Sequence, residues 1–350
     1  MSAITTLDTY RLLGASGLRV SPLCLGTMTF GTDWGWGADK AESRRQFEAY
    51  ASRGGNFIDT ANVYTKGTSE EFVGEFIAAE RERFVLATKF SFGMREGDPN
   101  SGGNHRKNIM QSVDASLRRL KTDYIDLYYL HVWEGRTPIE EVMRAIDDLV
   151  RMGKVLYFGF SDTPAWKVAQ GNTIAQMRGW SPAVCLQIEY SLIERTVERE
   201  LIPLARECGL GVLPWSPLGA GVLTGKYIGN PEGEGDGTRV KQSASRRTER
   251  NLGIAGEVVA VAAEIGQSPA QVALNWLLLQ AGVTSPILGA RTLAQLEDNL
   301  GCLDFTLGDE HLTRLNEATA IEPGFPNWFL STPGIVNGTV ARAKIEERKA

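Results

Sequence analysis

The segment Asn56-Phe57-Ile58-Asp59-Thr60-Ala61-Asn62-Val63-Tyr64 places a charge at the end of an apolar strand. Phe57 and Ile58 have the character of a short buried strand, and Asp59 follows where the strand should end. By itself, such an aspartate is typical of a helix N-cap or a turn. Tyr64 lies five positions further along, in the loop after the strand. The segment therefore has a structural and a chemical interpretation, and the neighbouring strands decide between them.

Two further strand-like runs end in the same way. Lys89 ends the run 84–88, and His131 ends the run 124–130. Taken alone, a lysine is typical of a structural ion pair, and a histidine at a strand end is typical of the core. Three successive strands that finish at an ionisable residue form a more specific pattern. We therefore expect Asp59, Tyr64, Lys89 and His131 to form one site.

The rest of the chain repeats strand and helix. Strands are predicted at 23–26, 57–58, 84–88, 124–130, 155–160, 184–188, 211–215 and 284–288. Helices are predicted at 41–53, 69–80, 106–120, 138–152, from 164, 197–208, 253–265, 269–279 and from 293. The alternation implies parallel pairing, and eight units predict a (β/α)8 TIM barrel. An open doubly wound sheet is the alternative, but no Gly-x-Gly-x-x-Gly motif follows the first strand.

Three segments lie outside the repeats. Residues 10–14 and 17–20 predict an N-terminal β-hairpin, and the Gly-rich, charged stretch 227–250 predicts a mobile surface loop. The stretch after Ile321 is irregular and aromatic, so it is either a floppy tail or a segment over the barrel mouth. No domain boundary is evident. We expect one domain over residues 1–350, with a core at about 10–320 and a C-terminal tail at 321–350.

Composition excludes several classes of partner. The chain has 350 residues, 43% of them hydrophobic, which is enough for a large core. A net charge of −5 with acids and bases interspersed gives no reason to expect nucleic acid or an anionic membrane. No apolar run approaches the roughly 20 residues that cross a bilayer, and residues 1–6 do not resemble a signal peptide. We expect a cytoplasmic protein, and the sequence does not indicate its oligomeric state.

Cysteine and histidine are too sparse for a metal or disulfide framework. The four cysteines are scattered, and there are only three histidines. We expect buried, reduced thiols and no metal site. The four thiols are Cys24, Cys185, Cys208 and Cys302.

The expected cluster of side chains suits carbonyl reduction. Active sites of TIM barrels lie at the carboxyl ends of the strands, so Asp59, Lys89 and His131 can meet there below Tyr64. Lys89 is expected to lower the pKa of Tyr64, and Asp59 to hold Lys89 as an ion pair. His131 is expected to orient a substrate oxygen or to assist proton transfer. An acidic phenol in a dry pocket can protonate an oxygen as negative charge grows on it, and carbonyl reduction makes such an oxygen.

Several segments resemble the aldo-keto reductase superfamily, over about residues 10–320. The similar segments are 57–64, 23–31 (Leu-Cys-Leu-Gly-Thr-Met-Thr-Phe-Gly), 126–131 (Asp-Leu-Tyr-Tyr-Leu-His), 215–219 (Trp-Ser-Pro-Leu-Gly) and 289–291 (Gly-Ala-Arg) with Gln295, Asp298 and Asn299. The resemblance implies a catalytic tetrad of Asp59, Tyr64, Lys89 and His131. Tyr64 would be the general acid in reduction and the general base in oxidation.

The resemblance also implies NADP(H), bound without a Rossmann unit. Ser161, Asp162 and Gln187 would hold the carboxamide, although the family often has Asn or Arg at the position of Asp162. Trp215 offers a stacking face for the nicotinamide, and Arg291 a partner for a 2′-phosphate. The residues expected to bind the cofactor are Thr27, Met28, Asp59, Ser161, Asp162, Gln187, Trp215, Ser216, Pro217, Leu218, Gly219, Gly221, Lys226, Arg239, Gly289, Arg291, Gln295, Asp298 and Asn299.

Aromatic residues on loops are the candidates for the substrate pocket. They are Trp34, Trp36, Phe92, Trp133 and Trp328, and an aromatic lining favours apolar or aromatic aldehydes and ketones. We therefore expect an NADPH-dependent aldehyde or ketone reductase, reversible toward alcohol oxidation. The alternative is an NADP-binding accessory subunit resembling channel-associated β-subunits. A long N-terminal arm would favour that alternative, and about ten residues precede the hairpin here.

Overall fold

Eight parallel strands form a nearly closed barrel, in the order β10-β3-β4-β5-β6-β7-β8-β9. This computed structural model describes residues 6–229 and 244–332. The barrel closes between β9 and the chain ahead of β10, where Thr284 N donates to Val212 O at 2.8 Å. The predicted TIM barrel is confirmed. Its strands are β3 (Cys24–Gly26), β4 (Phe57–Asp59), β5 (Val85–Phe90), β6 (Ile125–Leu130), β7 (Val155–Ser161), β8 (Ala183–Glu189), β9 (Gly211–Trp215) and β10 (Ile287–Leu288).

Helices follow the strands and begin where the sequence provides caps. Asp39 caps the first helix, and Ser268 forms a capping box with Gln271 ahead of Pro269. The buried faces of the helices pack against the outside of the barrel. The helices are α1 (Lys40–Ser52), α2 (Thr68–Ile77), α3 (Arg106–Leu120), α4 (Ile139–Arg151), α5 (Ala165–Arg178), α6 (Leu201–Glu207), α7 (Glu249–Ile265), α8 (Pro269–Leu278), α9 (Leu293–Leu300), α10 (Asp309–Ala318) and α11 (Asn327–Leu330).

The predicted hairpin, β1 (Arg11–Leu12) and β2 (Arg19–Val20), plugs one end of the barrel. Arg11 donates to the carbonyls of Val283 and Thr284 at 3.2 and 2.9 Å. Leu13 and Val20 join the buried cluster that fills the barrel interior. Gly14 has φ +58, and a Cβ there would lie 2.3 Å from Val184 O, so the close approach requires glycine. Since this plug fills the amino ends of the strands, the opposite end is the one open to ligands.

Four elements differ from the sequence predictions. The last strand covers only Ile287–Leu288, because Pro286 lacks the N–H that would extend the ladder. The helix predicted at 197–208 is split into a 3-10 turn and α6, because Glu200 between them has a non-helical φ of −135°. Helices α10 and α11 were not expected from the pattern.

The C-terminal segment, as far as residue 332, packs beside the start of α6. Arg199 donates to Glu322 O at 2.7 Å, and Asn327 Nδ2 donates to Arg199 O at 3.1 Å. Residues 333–350 of the predicted tail lie outside the described residues. In the described ranges, every helix is too short or too polar to span a bilayer.

Candidate active site

Lys89 connects the side chains at the ends of β4 and β5. It lies one residue before the end of β5, rather than after it, and is fully buried. Its Nζ lies 2.5 Å from Asp59 Oδ2, 2.7 Å from Thr60 O and 3.1 Å from Tyr64 Oη. The ammonium therefore makes all of its hydrogen bonds to the strand end and to the phenol. The structure brings three of the four expected side chains into direct contact.

A strained turn aims Tyr64 into this site. Thr65 and Lys66, the next two residues, both have left-handed φ angles of 46° and 57°. The Thr65 hydroxyl donates to Phe30 O at 2.7 Å and accepts from Ser69 N at 3.1 Å. Non-glycine residues take this conformation only when their surroundings enforce it, and such strain is concentrated at functional sites. The turn joins the tyrosine to the loop that carries Trp34.

His131, directly after β6, faces the tyrosine edge-on. The ring centroids of His131 and Tyr64 are 5.9 Å apart at 81°, and the Phe92 ring packs against the imidazole at 4.7 Å. Its Nδ1 is buried and has no hydrogen-bond partner among the described residues. A polar atom of this kind is open to a ligand oxygen.

Ser91 holds His131 in place, a contact that no sequence pattern indicated. Its hydroxyl accepts from the His131 backbone N–H at 3.1 Å and donates to Asn104 Oδ1 at 2.6 Å. Ser91 itself is buried and has φ +98. Asn104 is in turn hydrogen-bonded to Glu134. This network ties the end of β5 to the end of β6.

Burial and neighbouring charges shift the pKa values of Lys89 and Asp59 in opposite directions. Burial lowers the pKa of Lys89, but Asp59 and Tyr64 raise it by charge and by hydrogen bonds, and the outcome is a raised pKa. Burial raises the pKa of Asp59, and this outweighs the opposite effects of Lys89 and Gln187. The Lys89 ammonium is therefore kept charged beside the phenol.

The pKa of Tyr64 moves in the direction opposite to the expected one. Lys89 lowers the pKa of the phenol as predicted, but burial is the larger effect and raises it above the ordinary value. Burial, and then the Lys89 charge, lower the pKa of His131 well below its usual range. At neutral pH the site therefore holds a protonated phenol and a neutral imidazole.

We expect this neutral imidazole to make stability depend on pH. The unfolded chain protonates His131 near its ordinary pKa of about 6.5, whereas the folded protein does not. The stabilising contribution is thus complete above about pH 6.5 and is lost as the pH falls toward the depressed folded pKa. Between about pH 7.5 and about pH 5.5, the wild type should lose roughly 1 kcal/mol more unfolding free energy than His131→Asn.

Urea denaturation of both proteins at the two pH values checks this prediction. His105 and His311 are present in both proteins, so their titration cancels in the difference. An equal loss in the wild type and the variant would show that His131 is protonated alike in the folded and unfolded states.

Two polar side chains, Ser161 and Gln187, lie near the ends of β7 and β8. Ser161 Oγ is buried and has no partner among the described residues. Gln187 pairs with Ser161 across the two strands, and its Nε2 donates to Asp59 Oδ1 at 2.8 Å, so its amide oxygen is not used in that contact. An unpaired hydroxyl next to an amide oxygen suits a ligand amide, which both donates and accepts. Asp162, next to Ser161, is exposed at the mouth.

The segment after β9 forms a tight left-handed turn. Ser216, Gly219, Ala220 and Gly221 all have positive φ angles. Ala220 N donates to Ser216 Oγ at 3.1 Å, while Gly219 and Gly221 donate to carbonyls of the same turn. These amides thus serve the turn itself. A Cβ at residue 221 would lie 2.8 Å from Lys226 Nζ, so the missing side chain makes room for the ammonium.

An ion pair that the sequence did not suggest lies beside this turn. Arg246 pairs with Glu189 at the end of β8 and donates to Ser216 Oγ at 3.0 Å. Its guanidinium also lies 5.8 Å from the Trp215 ring centroid. Arg239, the arginine expected to clamp the cofactor, lies outside the described residues. Pro217 and Leu218 complete the turn, Pro217 buried and Leu218 half-buried.

The other expected cofactor residues surround the ends of β3 and β10. Arg291 N donates to Gln295 Oε1 at 2.9 Å at the start of α9, just after the exposed Gly289. Asp298 instead contacts Ser268 and Gln271 of α8, and Asn299 is buried. Asp298 therefore supports the packing of α9 against α8. The Thr27 hydroxyl donates to Asp59 O at 2.9 Å, and Met28 is half-buried.

Two of the expected aromatic residues, Trp34 and Phe92, border Tyr64 and His131. Trp34 packs 6.4 Å from the Tyr64 ring and 5.6 Å from Trp36, and Phe92 covers His131. Trp133 lies two residues beyond His131, with Lys167 Nζ 5.0 Å from its ring centroid. Trp328 is half-exposed and packs against Phe329 in the C-terminal segment beside α6.

The chain is similar to known proteins over most of its length. A model of the Aldo/keto reductase family matches residues 22–320. The chain is 37% identical to norsolorinic acid reductase of Aspergillus flavus over 341 residues, which is 94% of this chain and 86% of the relative. It is 38% identical to aryl-alcohol dehydrogenase [NADP(+)] of Phanerodontia chrysosporium, over 92% of this chain and 89% of the relative. An uncharacterized oxidoreductase of Bacillus subtilis is also 38% identical, over 88% of this chain and 95% of the relative.

Proposed function

Because this chain belongs to the aldo/keto reductase family, we propose that it reduces aldehydes or ketones with NADPH and catalyses the reverse alcohol oxidation. The observation that carries the proposal is the 3.1 Å contact between Lys89 Nζ and Tyr64 Oη, backed by Asp59. A phenol that accepts a hydrogen bond from a buried ammonium is held in one orientation, and it can donate its own proton to a ligand. The relatives, which include an NADP(+)-named dehydrogenase, support the same cofactor.

Tyr64 acts as the general acid in this proposal. NADPH, when bound, supplies the hydride to the carbonyl carbon. As negative charge grows on the carbonyl oxygen, Tyr64 Oη donates its proton to it. Lys89 stabilises the phenolate that remains, because its ammonium is fixed at hydrogen-bond distance in a site with little water. In alcohol oxidation the same phenolate removes the proton.

Neutral His131 orients the carbonyl oxygen. Its Nδ1 is buried without a partner among the residues that the structure describes, and its ring stands edge-on to Tyr64, so one of its nitrogens can donate to a ligand oxygen near the phenol. The low pKa of the imidazole prevents it from competing with Tyr64 as the proton donor. Asp59 acts by holding Lys89.

The residues present fit a nicotinamide dinucleotide. Ser161 Oγ and the Gln187 amide oxygen would hold the carboxamide, and Trp215 would offer its face to the ring. Lys226, in the space over Gly221, would carry positive charge toward a pyrophosphate. Arg246 lies on the same turn and would join it. Arg291, at the start of α9, would pair with a 2′-phosphate.

Aromatic carbonyl compounds are the substrates that this site favours. Trp34 and Phe92 border the two groups that would contact the carbonyl oxygen, and Trp36 packs against Trp34. Planar rings of a substrate can pack on these faces, edge to face or offset. The printed names of two relatives, an aryl-alcohol dehydrogenase and norsolorinic acid reductase, support the same chemical class.

Arg291→Ala should weaken NADPH binding about tenfold or more while NADH binding changes by less than about twofold, because only NADPH carries a 2′-phosphate for the guanidinium. Fluorescence titration of the tryptophans with each cofactor measures both affinities. Arg136→Ala, a charge-matched change at an exposed residue after β6, serves as control. Equal losses of NADPH and NADH affinity in Arg291→Ala would show that Arg291 does not contact the 2′-phosphate.

Steady-state NADPH consumption with 4-nitrobenzaldehyde tests the function itself. We expect many turnovers per enzyme molecule, and oxidation of the matching benzyl alcohol with NADP⁺. Oxidation of one equivalent of bound NADPH followed by arrest would favour an NADP-binding accessory protein instead. No oxidation with any of a panel of aromatic and aliphatic carbonyls would overturn the proposed reaction.

A further inference from the structure

Asp162 is a fixed carboxylate at the mouth of the barrel. It directly follows Ser161 at the end of β7 and has φ +40, in the left-handed region. Its N–H donates to Gln187 O at 3.4 Å, and its carbonyl accepts from Trp133 N at 3.3 Å. Asp and Asn tolerate this conformation better than other non-glycine residues. The neighbouring strands therefore set the direction of this side chain.

The Asp162 side chain reaches the edge of the Trp215 indole, the ring on which the nicotinamide is proposed to stack. Its Oδ1 accepts from Trp215 Nε1 at 3.0 Å. The residue before Asp162 is Ser161, whose buried Oγ has no hydrogen-bond partner among the described residues. Glu189, the other carboxylate at this rim, is already paired with Arg246. Asp162 has the Trp215 hydrogen bond but no ion pair within 4.0 Å among the described residues.

We propose that Asp162 makes this site discriminate between the redox states of the cofactor, by binding the oxidised nicotinamide more tightly, relative to the reduced one, than an amide at this position would. The inference rests on the proposed function. Both forms would cover the exposed carboxylate and remove it from water. Only the oxidised ring brings a positive charge that compensates for this loss, whereas the reduced ring is neutral.

Lys89 offsets only part of this effect. Its ammonium pairs with Asp59 at 2.5 Å, and its remaining hydrogen bonds go to Thr60 O and Tyr64 Oη. Asp162 also contributes negative potential at Tyr64, where it helps raise the pKa of the phenol. A carboxylate in this place therefore acts on both the ring and the proton donor, and an amide would act on neither through charge.

Asp162→Asn separates charge from shape. Asparagine has the same size, tolerates the left-handed backbone and can still accept from Trp215 Nε1 through its oxygen. The matched control is Asp123→Asn, which removes one charge from an exposed residue just before β6, at the plugged end of the barrel. Isothermal titration calorimetry gives the dissociation constants of NADP⁺ and NADPH for all three proteins.

We expect the ratio of the NADP⁺ to the NADPH dissociation constant to rise about tenfold in Asp162→Asn and to stay unchanged in Asp123→Asn. An unchanged or lower ratio in Asp162→Asn, with both cofactors bound, would overturn the inference and leave the proposed function intact. An equal rise in both variants would also overturn it, because the effect would then reflect net charge. A wild type that binds neither cofactor would refute the proposed function, and this inference with it.

Discussion

Tyr64→Phe is expected to lower kcat/KM for aldehyde reduction by about a thousandfold, while the NADPH dissociation constant changes by less than about twofold. The substitution removes only the hydroxyl that lies 3.1 Å from Lys89 Nζ. Without this hydroxyl, the developing oxyanion has no proton donor within hydrogen-bond distance. Stopped-flow reduction and cofactor titration of the same preparations give the two quantities.

Tyr129→Phe is the matched control for this experiment. Tyr129 is fully buried in the barrel interior, and its ring centroid lies 5.9 Å from Lys89 Nζ, but its hydroxyl contacts Cys185 Sγ at 3.7 Å rather than the ammonium. We expect the control to keep activity within a few fold of the wild type. If Tyr64→Phe retained comparable activity, another group would have to deliver the proton, and Tyr64 would lose its assigned role.

Lys89→Met is expected to abolish turnover and to lower the free energy of unfolding by about 3–5 kcal/mol. Lys89 is fully buried, and removal of its ammonium leaves the Asp59 carboxylate buried without a counter-charge. The Thr60 carbonyl also loses its donor. Activity falls because the phenolate of Tyr64 would no longer be stabilised. Urea denaturation and steady-state assays measure the two effects.

The double variant Asp59→Asn with Lys89→Met separates these two consequences. It removes the unpaired charge, so we expect it to recover a large part of the lost stability but none of the activity. Full activity in the double variant would show that the ion pair has only a structural role. A single Lys89→Met variant as stable as the wild type would show that Asp59 takes up a proton at little cost.

The barrel could be predicted because its signals are local. Each strand is a short apolar run between polar turns, and eight repeats with short linkers leave few alternatives. The meeting of Asp59, Lys89 and Tyr64 also follows from the sequence, because parallel strands bring their carboxyl ends to one rim. The roles of these side chains in catalysis and cofactor binding stay predictions.

The remaining features depend on the tertiary structure. Ser91 supports His131 only because its φ of +98° turns the hydroxyl toward the next strand. Arg246 lies in a charged, polar stretch, and only the closed barrel brings it to Glu189. The direction of the Tyr64 pKa was predicted wrongly, because the sequence reveals the nearby ammonium but not how deeply the phenol is buried.

The most direct test of the account follows a labelled hydride. Wild-type protein is given NADPH with both C4 hydrogens replaced by deuterium and an aromatic aldehyde in excess, and the alcohol is analysed by mass spectrometry. We predict one deuterium on the former carbonyl carbon in each alcohol molecule, over many turnovers, and almost no alcohol from Tyr64→Phe. Alcohol that carries no deuterium, or no alcohol from the wild type across the carbonyl panel, would contradict the account.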